Sequence, residues 1–313
     1  MDEMVAGNTA RVRQAALDCG FAGVGIAAAD PVDLTLFHEW LALGYAGTMH
    51  YLGRNAGKRA DVGEILHGAR TVVVVAENYY TPLSHASQAG KISRYAWGDD
   101  YHDVAGAKLR ELASKIEAIV PGSISKSYVD TGATLDKVWA VRAGLGWQGK
   151  HTNIISRAIG SWFFIGLIIS TAELLPDAPV EDFCGDCTAC IDACPTGAIV
   201  QPYLVDGTLC LSYWTIETKP DIEIPLDIAQ NMDGWAFGCD ICQDVCPWNR
   251  FRKITGEQRY LPRNGETTLN PAVVAEMTQD EFSSRFRQSP VKRTKLAGLQ
   301  RNMRAAENYG NEL

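Results

Sequence analysis

The chain has 313 residues, 46 % of them hydrophobic, enough for a substantial core and two or three structural units. A net charge of −8 gives no global sign of nucleic-acid binding. The N-terminus lacks a basic-then-apolar leader, and the longest apolar run, Ser161 to Ser170, is too short to span a bilayer, so the sequence predicts a cytoplasmic protein without a membrane segment.

Residues 8–19 read as a helix, with Asn8 as a candidate cap and Val12, Ala15, Ala16 and Cys19 on its apolar face. Phe21 to Ala28 reads as a strand and Leu34 to Leu43 as a second helix, broken by Gly44-Tyr-Ala-Gly47. Thr71 to Ala76 (TVVVVA) is a β-branched run suited to a strand buried on both faces. Val104 to Ile119 has helical periodicity, Ile124 to Val129 reads as a strand ending at Asp130, and Ser161 to Ser170 as another strand. Strands alternating with helices predict an α/β domain over residues 1–175. The proline-containing stretch Leu175 to Val180 leads into a cysteine-rich unit at 176–250. Residues 251–313 read as a helical C-terminal segment, with Thr278-Gln-Asp-Glu281 as a capping box and a further helical stretch from Pro290 to Tyr309.

The cysteines carry the strongest signal. Cys184, Cys187, Cys190 and Cys194-Pro195 have the spacing C-x₂-C-x₂-C-x₃-C-P, the bacterial ferredoxin run for a [4Fe–4S] cluster, whose fourth cysteine serves the other cluster of a pair. Cys239, Cys242 and Cys246-Pro247 repeat C-x₂-C-x₃-C-P, and Cys210 supplies the missing thiolate. One cluster is then expected on Cys184, Cys187, Cys190 and Cys246, the other on Cys194, Cys210, Cys239 and Cys242. Of the nine cysteines only Cys19 is left over, most simply as a buried small hydrophobe. Zinc and a disulfide framework are the alternatives; the two C-x₃-C-P tails argue against zinc, and disulfides are expected less still. Cluster thiolates must stay reduced, which again points to the cytoplasm.

Clusters carry single electrons and do not specify a substrate. The long front half contains neither a G-x-G-x-x-G opening a helix after a strand nor a P-loop, so neither NAD nor ATP is expected as resident cofactor. Asp130, at the end of a predicted strand, reads as a general acid or as an Asx-turn with Thr131-Gly132; Asp136 is the second candidate acid. Lys150, His151, Thr152 and Asn153 crowd polar groups behind a glycine-rich turn.

Several segments resemble epoxyqueuosine reductases: Ile92-Ser-Arg-Tyr-Ala-Trp97-Gly-Asp-Asp-Tyr101-His102, Val129-Asp130-Thr-Gly132, Ala143-Gly-Leu-Gly-Trp147-Gln-Gly-Lys150-His151-Thr152-Asn153, Gly160-Ser-Trp162-Phe-Phe164, Cys210-Leu-Ser-Tyr213-Trp-Thr-Ile-Glu217 and Cys246-Pro-Trp-Asn-Arg250. The resemblance covers residues 10–255 and implies an α/β cobalamin-binding domain related to that of reductive dehalogenases, followed by a ferredoxin-like two-cluster domain. It implies two [4Fe–4S] clusters and cobalamin (cob(II)alamin in the resting form), with electrons from an external donor of flavodoxin or ferredoxin type or a chemical reductant. The implied reaction reduces the epoxide of epoxyqueuosine at the wobble position of tRNA, the last step of queuosine biosynthesis. Asp130 matches the family's V-D-[TS] position and becomes the favoured catalytic acid; Arg54 matches a position near the cofactor. Lys150, His151, Thr152 and Asn153 are expected to hold the corrinoid, without a bond from His151 to cobalt, and Ser212, Tyr213 and Thr215 to line the face between cluster and corrin.

Trp97, Trp147 and Trp162 are candidates for stacking on the macrocycle or a base, with core packing as the alternative. Arg250, Arg252, Lys253, Arg259 and Arg263 form a local basic cluster that would meet tRNA phosphates or face solvent. A monomer is expected. The rival functions are a corrinoid-dependent dehalogenase-like enzyme acting on a small molecule and a non-enzymatic ferredoxin-type carrier; corrinoid retention and tRNA binding would separate the three.

Overall fold

A computed structural model describes residues 2–310. The front half runs α1 (Asp2–Asp18), β1 (Gly23–Ala28), α2 (Thr35–Ala42), β2 (Thr71–Asn78), α3 (Tyr101–Ile119), β3 (Ser125–Tyr128), α4 (Asp136–Arg142) and β4 (Phe163–Ser170). The strands form one sheet in the order β1-β2-β4-β3. The valine run explains its centre. Val73 and Val75 point into a core with Val12, Leu109, Leu112 and Ile116 from α1 and α3, whereas Val72 and Val74 meet Trp139 and Ala140 of α4 on the other face. A strand covered on both faces needs apolar residues at every position, not every second one.

Every pairing in this sheet is antiparallel. Strands β2 and β3 run in the same direction and are joined through α3, but β4 inserts antiparallel between them, so the alternation of helices and strands does not produce a parallel sheet. Helix α1 begins well before Asn8, which lies inside it and caps nothing. Helix α4 was not legible as a helix; it lies so close to β1 that a Cβ on Gly25 would stand 2.0 Å from the Ala143 carbonyl oxygen.

The cysteine-rich stretch contains three one-turn helices, α5 (Ala189–Asp192), one at Leu226–Ala229 and α6 (Ile241–Asp244), and a π-helical turn at Tyr213–Glu217. It is woven into the front half: Trp235–Phe237 pairs in parallel with Lys91–Ile92. Residues after 250 cover both. Tyr260 packs with Tyr79, Tyr80 and Trp162. Leu299 and Met303 of the last helix, α8 (Lys295–Gly310), share a core with Ile92, Trp97 and Phe237. The helix before it, α7 (Gln279–Arg285), starts with the expected Thr278–Glu281 capping box. The predicted stretch from Pro290 divides into a 3₁₀ turn, Pro290–Thr294, and α8, separated at Lys295 (φ 60°). Among the described residues no helix is long and apolar enough to cross a membrane.

Two buried polar residues of α8 fasten the C-terminal segment to the cysteine-rich stretch. Arg301 donates to the carbonyls of Lys219, Ile222 and Trp214. Asn302, fully buried, donates to those of Thr215 and Ala236 at 2.8 and 2.9 Å. Asn302→Ala leaves both carbonyls without that donor and is expected to cost about 1–3 kcal/mol, the usual penalty for stranding a buried polar group. A urea midpoint equal to that of the wild type would refute this account of the segment's attachment.

Candidate active site

The cysteines gather in two groups that cut across the sequence runs. Cys246 of the second run and Cys184 and Cys187 of the first lie within electrostatic reach of Cys190. Cys194, from the first run, lies within reach of Cys210 and Cys242, and Cys210 within reach of Cys239. Burial, then the neighbouring thiols, push Cys190 up to about 11 and Cys242 higher still. Burial likewise raises Cys239. Such thiols give up their protons only to a strong positive centre, which is what iron supplies. The C-x₃-C-P spacing that crosses between the runs suits a cube better than a zinc ion. Around Cys184 the indole N–H of Trp147 and the backbone N–H of Lys150 oppose the rise that burial causes.

Cys239 also borders a cleft of about 1210 Å³, larger than the roughly 300–1,000 Å³ of ordinary small-ligand pockets. Leu52, Phe163, Phe164, Ile165 and Ile216 give it apolar walls, and Arg54, Lys137, Lys292 and Arg293 give it cations. Asp130 projects into it from the loop after β3, in the left-handed region (φ 52°) that aspartate tolerates better than most residues, with its side chain 68 % exposed. Tyr101 donates to Asp130 Oδ2 at 2.5 Å, and His102 Nε2 stands 4.0 Å from the same oxygen. Behind the imidazole, Asp100 Oδ1 lies 2.7 Å from His102 Nδ1 and also accepts from the His102 backbone N–H, capping α3.

The electrostatics of this group are coherent. The Asp100 bond raises the His102 pKa above its ordinary value, although burial works against it. Burial works against the Asp100 carboxylate, but its bonds to His102 outweigh that and hold it below the usual range. Burial and Asp130 keep the Tyr101 hydroxyl protonated far above the ordinary tyrosine range. On the cleft floor, burial pushes Asp136 up to about 6, although Thr134 Oγ1 donates to it at 2.5 Å.

Asp130, Asp136, Arg54, Asn153 and Ser212 therefore share one cleft. The other expected cofactor contacts stand elsewhere. Lys150 Nζ donates to the carbonyls of Gly185 and Cys187, beside the first cysteine group. Tyr213 is buried with its hydroxyl bonded to Thr48. Thr215, fully buried, donates to the Leu211 carbonyl and accepts from the Gly238 N–H. Thr152 is half-buried in a left-handed turn (φ 66°). His151 is buried; its Nδ1 accepts from the Asn153 N–H, which places the proton on Nε2, an atom without a partner. Burial drops its pKa to about 4, so the ring is neutral.

Trp97, Trp147 and Trp162 are core residues and do not line the cleft. The basic cluster is dispersed: Arg259 pairs with Glu257 and Arg263 with Asp99, while Arg250 and Arg252 lie over Phe251 and Tyr80. Sequence reasoning missed Tyr101 and His102, although both sit in a segment carrying the resemblance. It also missed the cleft wall at 288–293, which no motif marks.

The geometry is matched by likeness to known proteins. A family model described as "Epoxyqueuosine reductase QueG, DUF1730" matches residues 59–131, and a 4Fe-4S double cluster binding domain matches residues 183–249. The epoxyqueuosine reductase of Cellulophaga algicola is 43 % identical over 93 % of this chain and 95 % of its own. That of Synechocystis sp. is 46 % identical over 85 % and 92 %. A crystal structure of epoxyqueuosine reductase with an epoxyqueuosine-modified tRNA-Tyr stem loop superimposes with a TM-score of 0.89 at 28 % identity, covering 96 % of this chain and 80 % of that one. With one of its two cysteine groups at the edge of an acid-lined cleft and this degree of likeness along nearly its whole length, the chain belongs to the epoxyqueuosine reductase family of oxidoreductases.

Proposed function

We propose that this protein reduces the epoxide of epoxyqueuosine in the wobble position of tRNA to the alkene of queuosine, the last step of queuosine biosynthesis, using electrons that pass from two [4Fe–4S] clusters to cobalamin. The observation that carries the reading is the meeting of Cys239 and Asp130 on one large cleft. Cys184, Cys187, Cys190 and Cys246 would hold the outer cluster, where Cys187 is exposed. Cys194, Cys210, Cys239 and Cys242 would hold the one beside the cleft. The corrinoid would lie against Phe163, Phe164 and Ile216, with Asn153, Ser212 and Arg54 offering polar contacts to its rim. When bound, cobalamin supplies a low-potential metal centre able to transfer the reducing electrons.

The chain's own residues then have to manage protons. Opening an epoxide to an alkene sends its oxygen out as water, so two protons must reach that atom. Asp130 is the acid that faces the open cleft, and Tyr101 and His102 are placed to hold and renew its proton. Asp100 keeps the imidazole oriented and protonated above its ordinary pKa. Asp136 is half-buried on the floor and bonded to Thr134, a position suited to holding the Asp130 loop and not to meeting substrate. Of the cations on the cleft wall, Lys292 suits the phosphates flanking an extruded base, while Arg293 is paired with Glu217. A flavodoxin- or ferredoxin-type donor, a monomer and a cytoplasmic setting complete the reading; the reduced thiols and the tRNA substrate support the last of these.

Anaerobic reconstitution followed by iron and cobalt analysis tests the cofactors, and conversion of an epoxyqueuosine-containing stem loop tests the substrate. Eight irons without affinity for any corrinoid would leave only an electron carrier. Asp130→Asn is expected to lower turnover by about 10²–10⁴-fold, the usual worth of a general acid, while iron content and corrinoid binding stay unchanged; wild-type turnover would remove Asp130 from the chemistry. Asp136 carries a folded-state pKa of about 6 against 3.8 unfolded. Its contribution to stability is therefore complete below 3.8 and is lost as pH rises through about 6. Asp136→Asn should remove that loss and raise the urea midpoint at neutral pH, and an identical pH profile in the two proteins would contradict this.

A further inference from the structure

We infer that Lys150 sets the reduction potential of the outer cluster, acting through the loop that carries Cys184 and Cys187 and not through the corrinoid. The inference rests on the two-cluster reading above and concerns a residue that lies outside the cleft.

The loop between Trp147 and Asn153 belongs to the front half, yet it forms a wall of the first cysteine group. Trp147 packs edge-on against Phe183 and Trp248 at 5.2 and 4.9 Å and shares a small core with Cys246 and Cys184. Lys150 then reaches across. Its ammonium donates to the Gly185 carbonyl at 2.6 Å and to the Cys187 carbonyl at 3.0 Å, so its charge is fixed against the residues between two ligands. The Lys150 backbone N–H is near enough to the Cys184 thiol to oppose the rise that burial causes there. The Lys150 carbonyl accepts from Tyr203 N–H at 3.0 Å, which anchors the residue from the other side.

Two physical effects follow in the same direction. A reduced cluster carries one more negative charge than an oxidised one, so a nearby cation favours reduction. An N–H aimed at a ligand sulfur does the same by dispersing its charge. The surroundings are otherwise acidic: Asp182, Asp186 and Asp192 are exposed in the same stretch, and Asp182 accepts from the Cys184 N–H. Arg157 is the other cation nearby, but it lies over the Phe183 ring with its guanidinium 4.9 Å from the centroid. Lys150 thus opposes a local field that would drive the outer cluster's potential down.

The test is an EPR-monitored redox titration of anaerobically reconstituted wild-type, Lys150→Met and Lys150→Arg proteins, with Cys187→Ser used to assign the outer cluster's signal. Lys150→Met should move the outer midpoint to a more negative potential and leave the inner one in place, whereas Lys150→Arg should stay close to wild type. An unchanged outer midpoint in Lys150→Met, or an equal displacement of both clusters, overturns the inference. If Lys150→Met loses the outer cluster, Lys150→Gln decides: a retained cluster at a lowered potential supports the inference, while a wild-type potential or a second loss shows Lys150 to be only a staple. Wild-type protein that takes up no iron would instead refute the two-cluster reading itself, a failure distinct from that of Lys150.

Discussion

The arrangement depends on an exchange of cysteines between two stretches of chain. Cys194 ends the first run but stands among the thiols of the second; Cys246 ends the second but stands among those of the first. Each precedes a proline, which disfavours helical backbone at the cysteine and turns the chain away from its own run; Cys246 is extended at φ −68°, ψ 119°. Neither group can be completed without the other. Cluster binding and folding of the whole 184–246 stretch would therefore be one event. The sheet shares in it, because Lys91–Ile92 pairs with Trp235–Phe237 immediately ahead of Cys239.

That interlock explains why the cleft is built from distant parts of the chain. Its acid group comes from the start of α3 and the loop after β3, its redox edge from Cys239, and one wall from residues 288–293. The C-terminal wall is tied directly to the acid group. Arg263, paired with Asp99, donates to the Arg287 carbonyl, and the Gln288 carbonyl accepts from the Asp100 N–H at 2.8 Å. Asp100 in turn orients His102. Two carboxyl groups then share a cleft under different conditions: Asp130 is largely open and bonded to a tyrosine, while Asp136 is half-buried and held by a threonine. Their environments, more than their residue type, separate their tasks.

What the sequence disclosed follows from how local each feature is. Cysteine spacing is local because one cube binds neighbouring thiolates, and the valine run is local because double burial leaves no polar position. Asp130 was legible from its place after a strand together with the family pattern around it. The antiparallel insertion of β4 between β2 and β3 is a matter of pairing, which spacing does not encode. Lys150, Tyr213 and Thr215 carry donors suited to a cofactor, but their partners are protein groups brought up from elsewhere: the Cys187 carbonyl, the Thr48 hydroxyl and the Gly238 N–H. The basic run after Cys246 is dispersed: Arg259 pairs with Glu257, two residues before it, and only Arg263 meets an acid, Asp99, that tertiary structure brings up from elsewhere. The wall at 288–293 is a polar segment with one proline, and nothing in its composition separates it from any surface turn.

The loop from Trp147 to Asn153 shows how the two centres are kept in fixed relation. Lys150 touches the outer cysteine group and Asn153 lines the cleft. They are three positions apart in the chain, so their Cα atoms are at most about 11 Å apart. The loop is also stiff. Gly149 donates to the Asn153 carbonyl and Thr152 to the Gly149 carbonyl, each at 2.8 Å, while Thr152 is held left-handed at φ 66°. Asn153 is pinned further by Lys137 Nζ at 3.0 Å, and its N–H fixes the tautomer of the buried His151. The most distinctive stretch of the sequence thus ties the outer cysteine group to the cleft.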